Sequence, residues 1–242
     1  MGAHLTGDAI VLRHADYRDY DRMLTLFSPE YGRIDAIARG CRRPRSALVG
    51  ASEVFCAGQY TINASGERHS VTQCEIRDSY YDLRLDYDRL MHGMYYLSLA
   101  DAAALPSQAA PDIFFLLLKA LAHLSYSELP AALLTACFEM RYMPLMGYRP
   151  QMDRCLICGR PVDGPARFDA EHGGVVCLNC SSDAPPISNG ARRIILRAPM
   201  TDYNVIPKLD GHPDWPEAAR LYRPFVARRI DRRIKIDWPE LP

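Results

Sequence analysis

Four cysteines in the second half of the chain have the spacing of a metal site. They form two Cys-x-x-Cys pairs separated by eighteen residues. This spacing is typical of four-cysteine zinc sites, because each tight turn presents two thiolates and the intervening segment can fold back as a hairpin. Four sulfur ligands complete a tetrahedral shell and leave no position for a substrate. We therefore expect one structural Zn²⁺ bound by Cys155, Cys158, Cys177 and Cys180.

Two other interpretations of the same pairs are a thioredoxin-like redox motif and an iron–sulfur site. A redox motif would need a surrounding βαβ pattern, which the sequence does not display. Instead, residues 168–169 and 175–176 resemble two short strands with Gly173 and Gly174 at the bend. His172 lies in this segment and is expected to be solvated. The remaining cysteines are expected to be small core residues; they are Cys41, Cys56, Cys74 and Cys137.

A basic segment, RGCRRPRS, could bind phosphates. Residues 33–49 contain five arginines against Asp35 alone, a local charge of +4 in a chain whose 29 basic and 29 acidic residues cancel. A basic loop on a small barrel can follow the backbone of a single strand, although a solvated loop without a partner is the alternative. The candidate nucleic-acid-binding arginines are Arg33, Arg39, Arg42, Arg43 and Arg45. The nearby Tyr17, Tyr20 and Tyr31 could offer stacking surfaces, with packing in the core or in a turn as the favoured interpretation.

A second basic segment lies near the C-terminus. Residues 220–235 carry seven basic side chains and one acidic one. Apolar residues at four-residue steps predict a helix that continues through this whole segment, beginning at Asp214 and Pro216. Arg228, Arg232 and Lys235 would lie on its outer side, either as a second phosphate-contacting surface or as a solvated helix face.

The elements that must position these residues change along the chain. Residues 8–77 read as five short antiparallel strands, which suits an OB-fold barrel, with an SH3-like barrel as the second choice. From 79 to 147 the apolar residues follow a helical period, with a helix start at Pro111 and a candidate N-cap at Ser127. A further helix is expected to start at Ser188 or Asn189. We predict an α+β multidomain chain: an OB-fold domain at 1–79, an α-helical bundle domain at 80–150 and 187–242, and a zinc-binding insert at 151–186.

Composition and missing motifs narrow the function. No apolar run reaches the roughly 20 residues that span a bilayer, and the N-terminus has no secretory pattern, so we expect a cytoplasmic protein. The sequence carries no P-loop, dinucleotide fingerprint, nucleophile elbow or paired carboxylates, which argues against an enzyme.

The order of these parts resembles the RecO family of bacterial recombination mediators. The most specific pieces are FEMRYMPLMGYRP before CLICG, the Gly-Gly before Cys177, and RGCRRPRS, in which Cys41 stands where the family usually has alanine. The resemblance implies binding of single- and double-stranded DNA, annealing of complementary strands, and a role at the nucleoid in the RecF-RecO-RecR pathway. It also implies RecR and the acidic tail of single-stranded-DNA-binding protein as partners, which lets RecA load. The alternatives are a zinc-ribbon nucleic-acid-binding factor outside repair and a zinc-stabilised enzyme with a cryptic site.

Overall fold

The computed structural model describes residues 3–65, 68–180, 182–201 and 203–230. The chain forms two compact units, which divide between Ser125 and Tyr126. The strands are β1 (Ala3–Tyr17), β2 (Asp21–Ser28), β3 (Gly32–Ala38), β4 (Ala57–Ser65), β5 (Arg68–Asp78), β6 (Ala166–Asp169), β7 (Gly174–Cys177) and β8 (Pro186–Ile187). The α-helices are α1 (Tyr87–Ala103), α2 (Pro111–Tyr126), α3 (Ala131–Leu145), α4 (Asn189–Arg197) and α5 (Trp215–Arg229), and short 3-10 helices lie at Gly50–Ser52, Tyr81–Leu85, Ala198–Met200 and Tyr203–Leu209.

The first five strands close into a barrel in the order β1-β2-β3-β5-β4. The long strand β1 pairs with both β2 and β4, and a register shift between Val11 and Arg13 bends it so that it can serve both neighbours. Strands β3 and β5 pair in parallel, at Ile37 with Ser70. The expectation that all five strands are antiparallel is therefore wrong at this one contact, while the predicted OB-fold barrel is confirmed.

Alternating apolar side chains fill the barrel. Val11, Leu24 and Leu26 are buried in one cluster together with Tyr60. The Tyr60 hydroxyl donates to the carbonyl of Ala51 at 2.8 Å, so its polar end is paired inside the core. Burial and neighbouring thiols raise the pKa of Tyr60 far above its ordinary value, which keeps the phenol neutral.

Two helices complete the first compact unit. The Asp86 side chain caps α1 by accepting from the backbone N–H of Arg89 at 3.1 Å. Phe114 of α2 packs edge-on against Phe27 of β2, with ring centroids 5.6 Å apart. Part of the apolar run in α2 thus covers the barrel.

The second compact unit contains α3, α4 and α5 and a three-stranded sheet in the order β7-β6-β8. Helix α3 begins at Ala131 after Pro130, so the predicted N-cap at Ser127 is wrong. The reason is that the residue before a proline avoids helical backbone angles, which excludes Leu129 from the helix. The buried carboxylate of Glu139 in α3 pairs with Arg223 in α5 at 2.5 Å.

Helix α5 is shorter than the sequence predicts. It begins after Asp214, as expected, and ends at Arg229, because Ile230 has extended backbone angles. The predicted alignment of Arg228 with Arg232 and Lys235 on one helix face stays a prediction. Arg232 and Lys235 lie outside the described residues.

The helices in the described part of the chain all lack the combination of length and apolar character that crossing a membrane requires. The domain boundaries drawn from the sequence stay a prediction, because compactness does not establish which segments fold independently.

Candidate nucleic-acid interface and metal centre

The basic loop, residues 39–45, leaves the barrel beside the turn between β1 and β2. Tyr17 pairs with Asp21 across that turn, and Arg22 of β2 pairs with Ala38 at the end of β3. The turn and the loop therefore emerge from the same end of the barrel. Two hydrogen bonds join them: the Arg42 N–H donates to the Tyr20 carbonyl at 3.0 Å, and the Gly40 N–H donates to the Asp21 carboxylate at 2.7 Å.

Three arginines of the basic loop are available to a ligand. Arg39, Arg43 and Arg45 are exposed, and the described residues place no carboxylate within ion-pair distance of them. The side chain of Cys41 points the other way and is 1% exposed within the barrel core. This buried thiol anchors the middle of the loop while the neighbouring guanidinium groups project into solvent.

The other two candidate arginines of the barrel are held by acidic side chains. Arg42 lies 3.3 Å from the Asp16 carboxylate and donates to the Asp19 carbonyl at 3.4 Å. Arg33 lies 3.2 Å from Asp35 and 3.6 Å from Asp101. Their proposed contact with DNA stays a prediction, and it would require these ion pairs to open or be shared.

The C-terminal basic surface is also partly engaged. Arg228 lies 3.5 Å from the Glu171 carboxylate. Arg229 stacks on the Phe225 ring at 3.8 Å and donates to the carbonyl groups of Ala170 and Glu171 at 2.9 and 3.1 Å. This arginine holds the turn between β6 and β7 against α5, so a charge that looks available in the sequence has a structural role.

The four predicted metal ligands come together in space. Their sulfur atoms all lie within 4.8 Å of one another, and the Sγ atoms of Cys158 and Cys177 are 3.8 Å apart. The first pair sits on a turn in which the Gly159 N–H donates to the Cys155 carbonyl at 2.9 Å. The hairpin of β6 and β7 returns the chain to the second pair, as the sequence predicts.

The donor set fits a four-coordinate thiolate metal. A tetrahedral shell with zinc–sulfur bonds of about 2.3 Å places neighbouring sulfurs about 3.8 Å apart, whereas a disulfide would bring them to about 2.05 Å. The Cys158–Cys177 separation of 3.8 Å therefore matches two ligands of one ion. His172 takes no part, since its ring nitrogen contacts the Asp169 carboxylate at 2.8 Å and its side chain is 72% exposed.

The electrostatics of the cluster favour a bound cation. Burial raises the pKa of Cys155, but hydrogen bonds from the backbone of Cys158, Cys177 and Ile157 lower it by more, to about 6. The hydrogen bond with Cys177 raises the pKa of Cys180 to about 12. A cation is needed to keep four thiolates side by side.

The turn between β6 and β7 is tightly specified. The Asp169 carboxylate accepts from the backbone N–H groups of Glu171 and His172 at 3.0 and 2.9 Å. Burial raises the pKa of Asp169, and these bonds together with the His172 ring lower it by more, to below its usual range. Gly173 has a φ of 78°, and a Cβ there would lie 2.5 Å from the Arg229 guanidinium.

A buried arginine connects the cysteine segment to α4. Arg192 is 8% exposed and donates to the carbonyl of Met152 at 2.9 Å, to that of Val162, and to the Asn189 side chain at 2.8 Å. These bonds satisfy carbonyl groups on both sides of the first Cys-x-x-Cys turn. This role was not predicted, because a single arginine in a basic helix carries no signal of burial.

A cavity in the second compact unit was also not predicted. It has a volume of about 490 Å³ and lies among α3, α4 and the 3-10 helix Tyr203–Leu209. Arg141, Arg193 and Arg197 line it together with His212, Asp214 and apolar side chains that include Ile194, Val205, Ile206 and Leu209. The only sequence signal was the helical spacing of Arg193 and Arg197, and α3 contributes the third arginine from a distant part of the chain.

Comparison with known proteins identifies the family. The family model "Recombination protein O N terminal" matches residues 1–80, and "Recombination protein O C terminal" matches residues 84–236. The chain belongs to the RecO family. Proteins named DNA repair protein RecO are 29% identical in Moorella thermoacetica over 94% of this chain and 87% of theirs, and 33% identical in Pelotomaculum thermopropionicum over 95% and 84%. A third, from Syntrophomonas wolfei, is 32% identical over 75% of this chain and 72% of its own.

Membership of the RecO family confirms the resemblance inferred from the order of motifs. The N-terminal match ends two residues after β5, so it covers the barrel and the basic loop. The C-terminal match includes the four clustered cysteines and both arginines that hold the cysteine segment.

Proposed function

We propose that this chain is a DNA-binding recombination mediator of the RecF-RecO-RecR repair pathway. In this role it binds single- and double-stranded DNA, anneals complementary strands, and helps RecA load onto strands covered by single-stranded-DNA-binding protein. The observation that carries the proposal is the set of three exposed arginines, Arg39, Arg43 and Arg45, on the loop of a closed five-stranded barrel. Because chromosomal DNA is the partner in this role, the protein would act at the nucleoid in the cytoplasm.

The proposed mechanism is electrostatic. Each guanidinium that meets a phosphate releases a condensed counterion, and this favours binding without reading the base sequence. Two complementary strands repel one another through their phosphates, so a protein that neutralises part of this charge lowers the barrier to annealing. The chain acts by binding in this proposal, and no covalent bond of the DNA is made or broken.

We further propose that Cys155, Cys158, Cys177 and Cys180 hold one structural Zn²⁺. The ion would supply fixed charge and a tetrahedral crosslink, with no catalytic chemistry. The chain itself also stabilises the cysteine segment, since Arg192 and Arg229 donate hydrogen bonds to backbone carbonyl groups of Met152 and Ala170. The sulfur geometry supports this assignment, and metal analysis of the purified protein tests it.

The arginine-lined cavity supports a second part of the proposal, the acidic tail of single-stranded-DNA-binding protein as a partner. Arg193 and Arg197 are exposed, and the Arg141 guanidinium is held over the Tyr203 ring at 4.2 Å. Carboxylates of an acidic peptide could meet these cations while an apolar side chain enters among Ile194 and its neighbours. A labelled acidic peptide should bind, and Arg193→Ala with Arg197→Ala should weaken it at least tenfold. Arg149→Ala, an exposed arginine outside the cavity, is the matched control.

Strand annealing tests the main proposal. Complementary oligonucleotides, bare or coated with single-stranded-DNA-binding protein, should anneal faster with the purified chain. The variant Arg39→Ala, Arg43→Ala, Arg45→Ala should lose most of this acceleration. Its control removes three exposed cations elsewhere, at Lys119, Arg149 and Lys208.

Either of two results would favour a different function. Tighter binding of RNA than of DNA, without annealing, would favour a nucleic-acid-binding factor outside repair. Turnover of a substrate that disappears on a single substitution would favour the zinc-stabilised enzyme. RecR as a partner is tested separately by co-purification of the two proteins.

A further inference from the structure

Two exposed tyrosines flank the turn between β1 and β2. Tyr17 is the last residue of β1, and Tyr20 is the residue before β2. Their side chains are 41% and 50% exposed, whereas Tyr31 packs against the barrel core. Tyr17 and Tyr20 therefore do not pack in the core, and the interpretation that they pack in a turn stays a prediction.

An arginine guanidinium lies against each of these two rings. The Arg43 guanidinium lies 5.2 Å from the centroid of the Tyr20 ring, and the Arg18 guanidinium lies 5.1 Å from that of Tyr17. These distances are within the range of cation–π attraction. The backbone hydrogen bond from Arg42 to the Tyr20 carbonyl, at 3.0 Å, attaches the turn to the basic loop. Tyr20 and the basic loop therefore lie against one another at this end of the barrel.

This combination matches the two halves of a nucleotide. Unpaired cations suit the phosphate, and an exposed aromatic ring beside them suits the flat face of a base. In a duplex the base faces are covered by their neighbours, so a ring contributes to binding only when bases are unstacked and accessible. The ring therefore distinguishes single strands from duplexes, which the arginines alone do not.

We propose that Tyr20, assisted by Tyr17, is a stacking platform for unpaired bases and gives the basic loop its preference for single-stranded DNA. The proposal rests on the proposed function, since it assumes that DNA meets this end of the barrel. It assigns base contact to the turn and phosphate contact to Arg39, Arg43 and Arg45.

Exposed tyrosines elsewhere in the same unit provide a contrast. Tyr81 is 61% exposed, and among the described residues no arginine lies over its ring. Tyr81 therefore has the exposure of a platform without an arginine on its ring. Tyr81→Ala is therefore the matched control for Tyr20→Ala.

The test measures binding of the full-length chain to three fluorescent probes: an oligodeoxythymidine of roughly 16 nucleotides, an oligonucleotide of equal phosphate number with abasic sites, and a duplex. Tyr20→Ala should weaken binding to the first by roughly 5- to 150-fold, the equivalent of about 1–3 kcal/mol per stacked base. Binding to the abasic and duplex probes should change less than about twofold, and the salt slope should stay the same because no phosphate contact is removed. Tyr20→Phe, which keeps the ring, should bind like the parent.

Photocrosslinking locates the contact directly. An oligonucleotide containing 5-iododeoxyuridine should crosslink to the turn, and trypsin separates the two rings into the peptides HADYR, which contains Tyr17, and DYDR, which contains Tyr20. We expect crosslinked DYDR as the main product and crosslinked HADYR as the lesser one.

The outcomes separate this proposal from the proposed function. If Tyr20→Ala binds the single strand like the parent while the arginine triple variant does not, DNA binding stands and the platform is wrong. Equal losses on all three probes would show that Tyr20 only positions the loop, which also overturns the platform. A parent chain that binds no single-stranded DNA would refute the proposed function first.

Discussion

Three arginines of the basic loop have no carboxylate partner among the described residues, and removing them should reduce the salt dependence of DNA binding by a calculable amount. Each phosphate contact on single-stranded DNA contributes about 0.7 to the slope of log affinity against log salt. If Arg39, Arg43 and Arg45 each touch one phosphate, their joint replacement by alanine lowers the slope by about 2. Between about 50 and 200 mM salt, the ratio of parent to variant affinity should then shrink roughly 20-fold.

The neighbouring ion pair provides an internal comparison. Arg42 is held by Asp16 at 3.3 Å, and an exposed pair of this kind contributes only about 0–1 kcal/mol. Arg42→Ala should therefore reduce the magnitude of the slope by less than about 0.7. Asp16→Asn, which releases Arg42, should increase the magnitude by up to about 0.7. Arg22, the other partner of Asp16, keeps its ion pair with Glu53 at 2.6 Å. Arg228→Ala should have a smaller effect than the loop variant, because this side chain faces Glu171.

The assay is fluorescence anisotropy of a labelled oligonucleotide over a salt series, with circular dichroism to verify folding. The replaced side chains are exposed, so folding should be unaffected. A triple variant that folds normally and keeps the parent slope would refute the reasoning. The same conclusion would follow if Arg228→Ala cost more affinity than the three loop substitutions together, because the DNA path would then lie on the C-terminal helix.

Three further predictions concern the cysteine segment. Cys155→Ser should abolish binding of the proposed zinc and lower the free energy of unfolding by several kcal/mol, because the energy of metal binding would contribute to folding. Metal analysis that finds zinc retained in the variant, or iron in the parent, would contradict this. Gly173→Ala should lower stability by about 1–3 kcal/mol, because its φ is 78° and its Cβ would meet Arg229. Gly164→Ala, whose Cβ would have no neighbour within 4 Å, should change stability by less than about 0.5 kcal/mol in the same urea titration. Because the pKa of Asp169 is lowered, this carboxylate stabilises the fold at neutral pH, and the stabilisation is lost as the pH falls below the ordinary pKa of 3.8. In a plot of the free energy of unfolding against pH, Asp169→Asn should remove this part of the decrease at acidic pH. An unchanged decrease would show that the carboxylate contributes nothing.

Much of the fold could be predicted because its signals are local. The two Cys-x-x-Cys turns and the hairpin between them lie within 26 consecutive residues, so spacing alone indicated a common metal site. Alternation of apolar residues indicated five strands, and their number and lengths suggested an OB-fold barrel. The start of α4 at Ser188 was equally readable, since its hydroxyl accepts from the Ala191 N–H three residues later. The errors were local too: Pro130 displaced the start of α3, and Ile230 ended α5 early.

The sequence by itself determined where positive charge is concentrated, and only the tertiary structure decided which charges are available. Arg33 meets Asp101, which is 68 residues away in the chain, and Arg192 is buried against the carbonyls of Met152 and Val162. Charge is a property of a residue type, whereas availability depends on acids, carbonyls and rings brought near by folding. The same holds for the rings of Tyr17 and Tyr20 and for the arginine-lined cavity, whose walls come from separate helices. Contacts between residues far apart in the chain leave no periodicity in the sequence, because they are selected by packing and not by spacing.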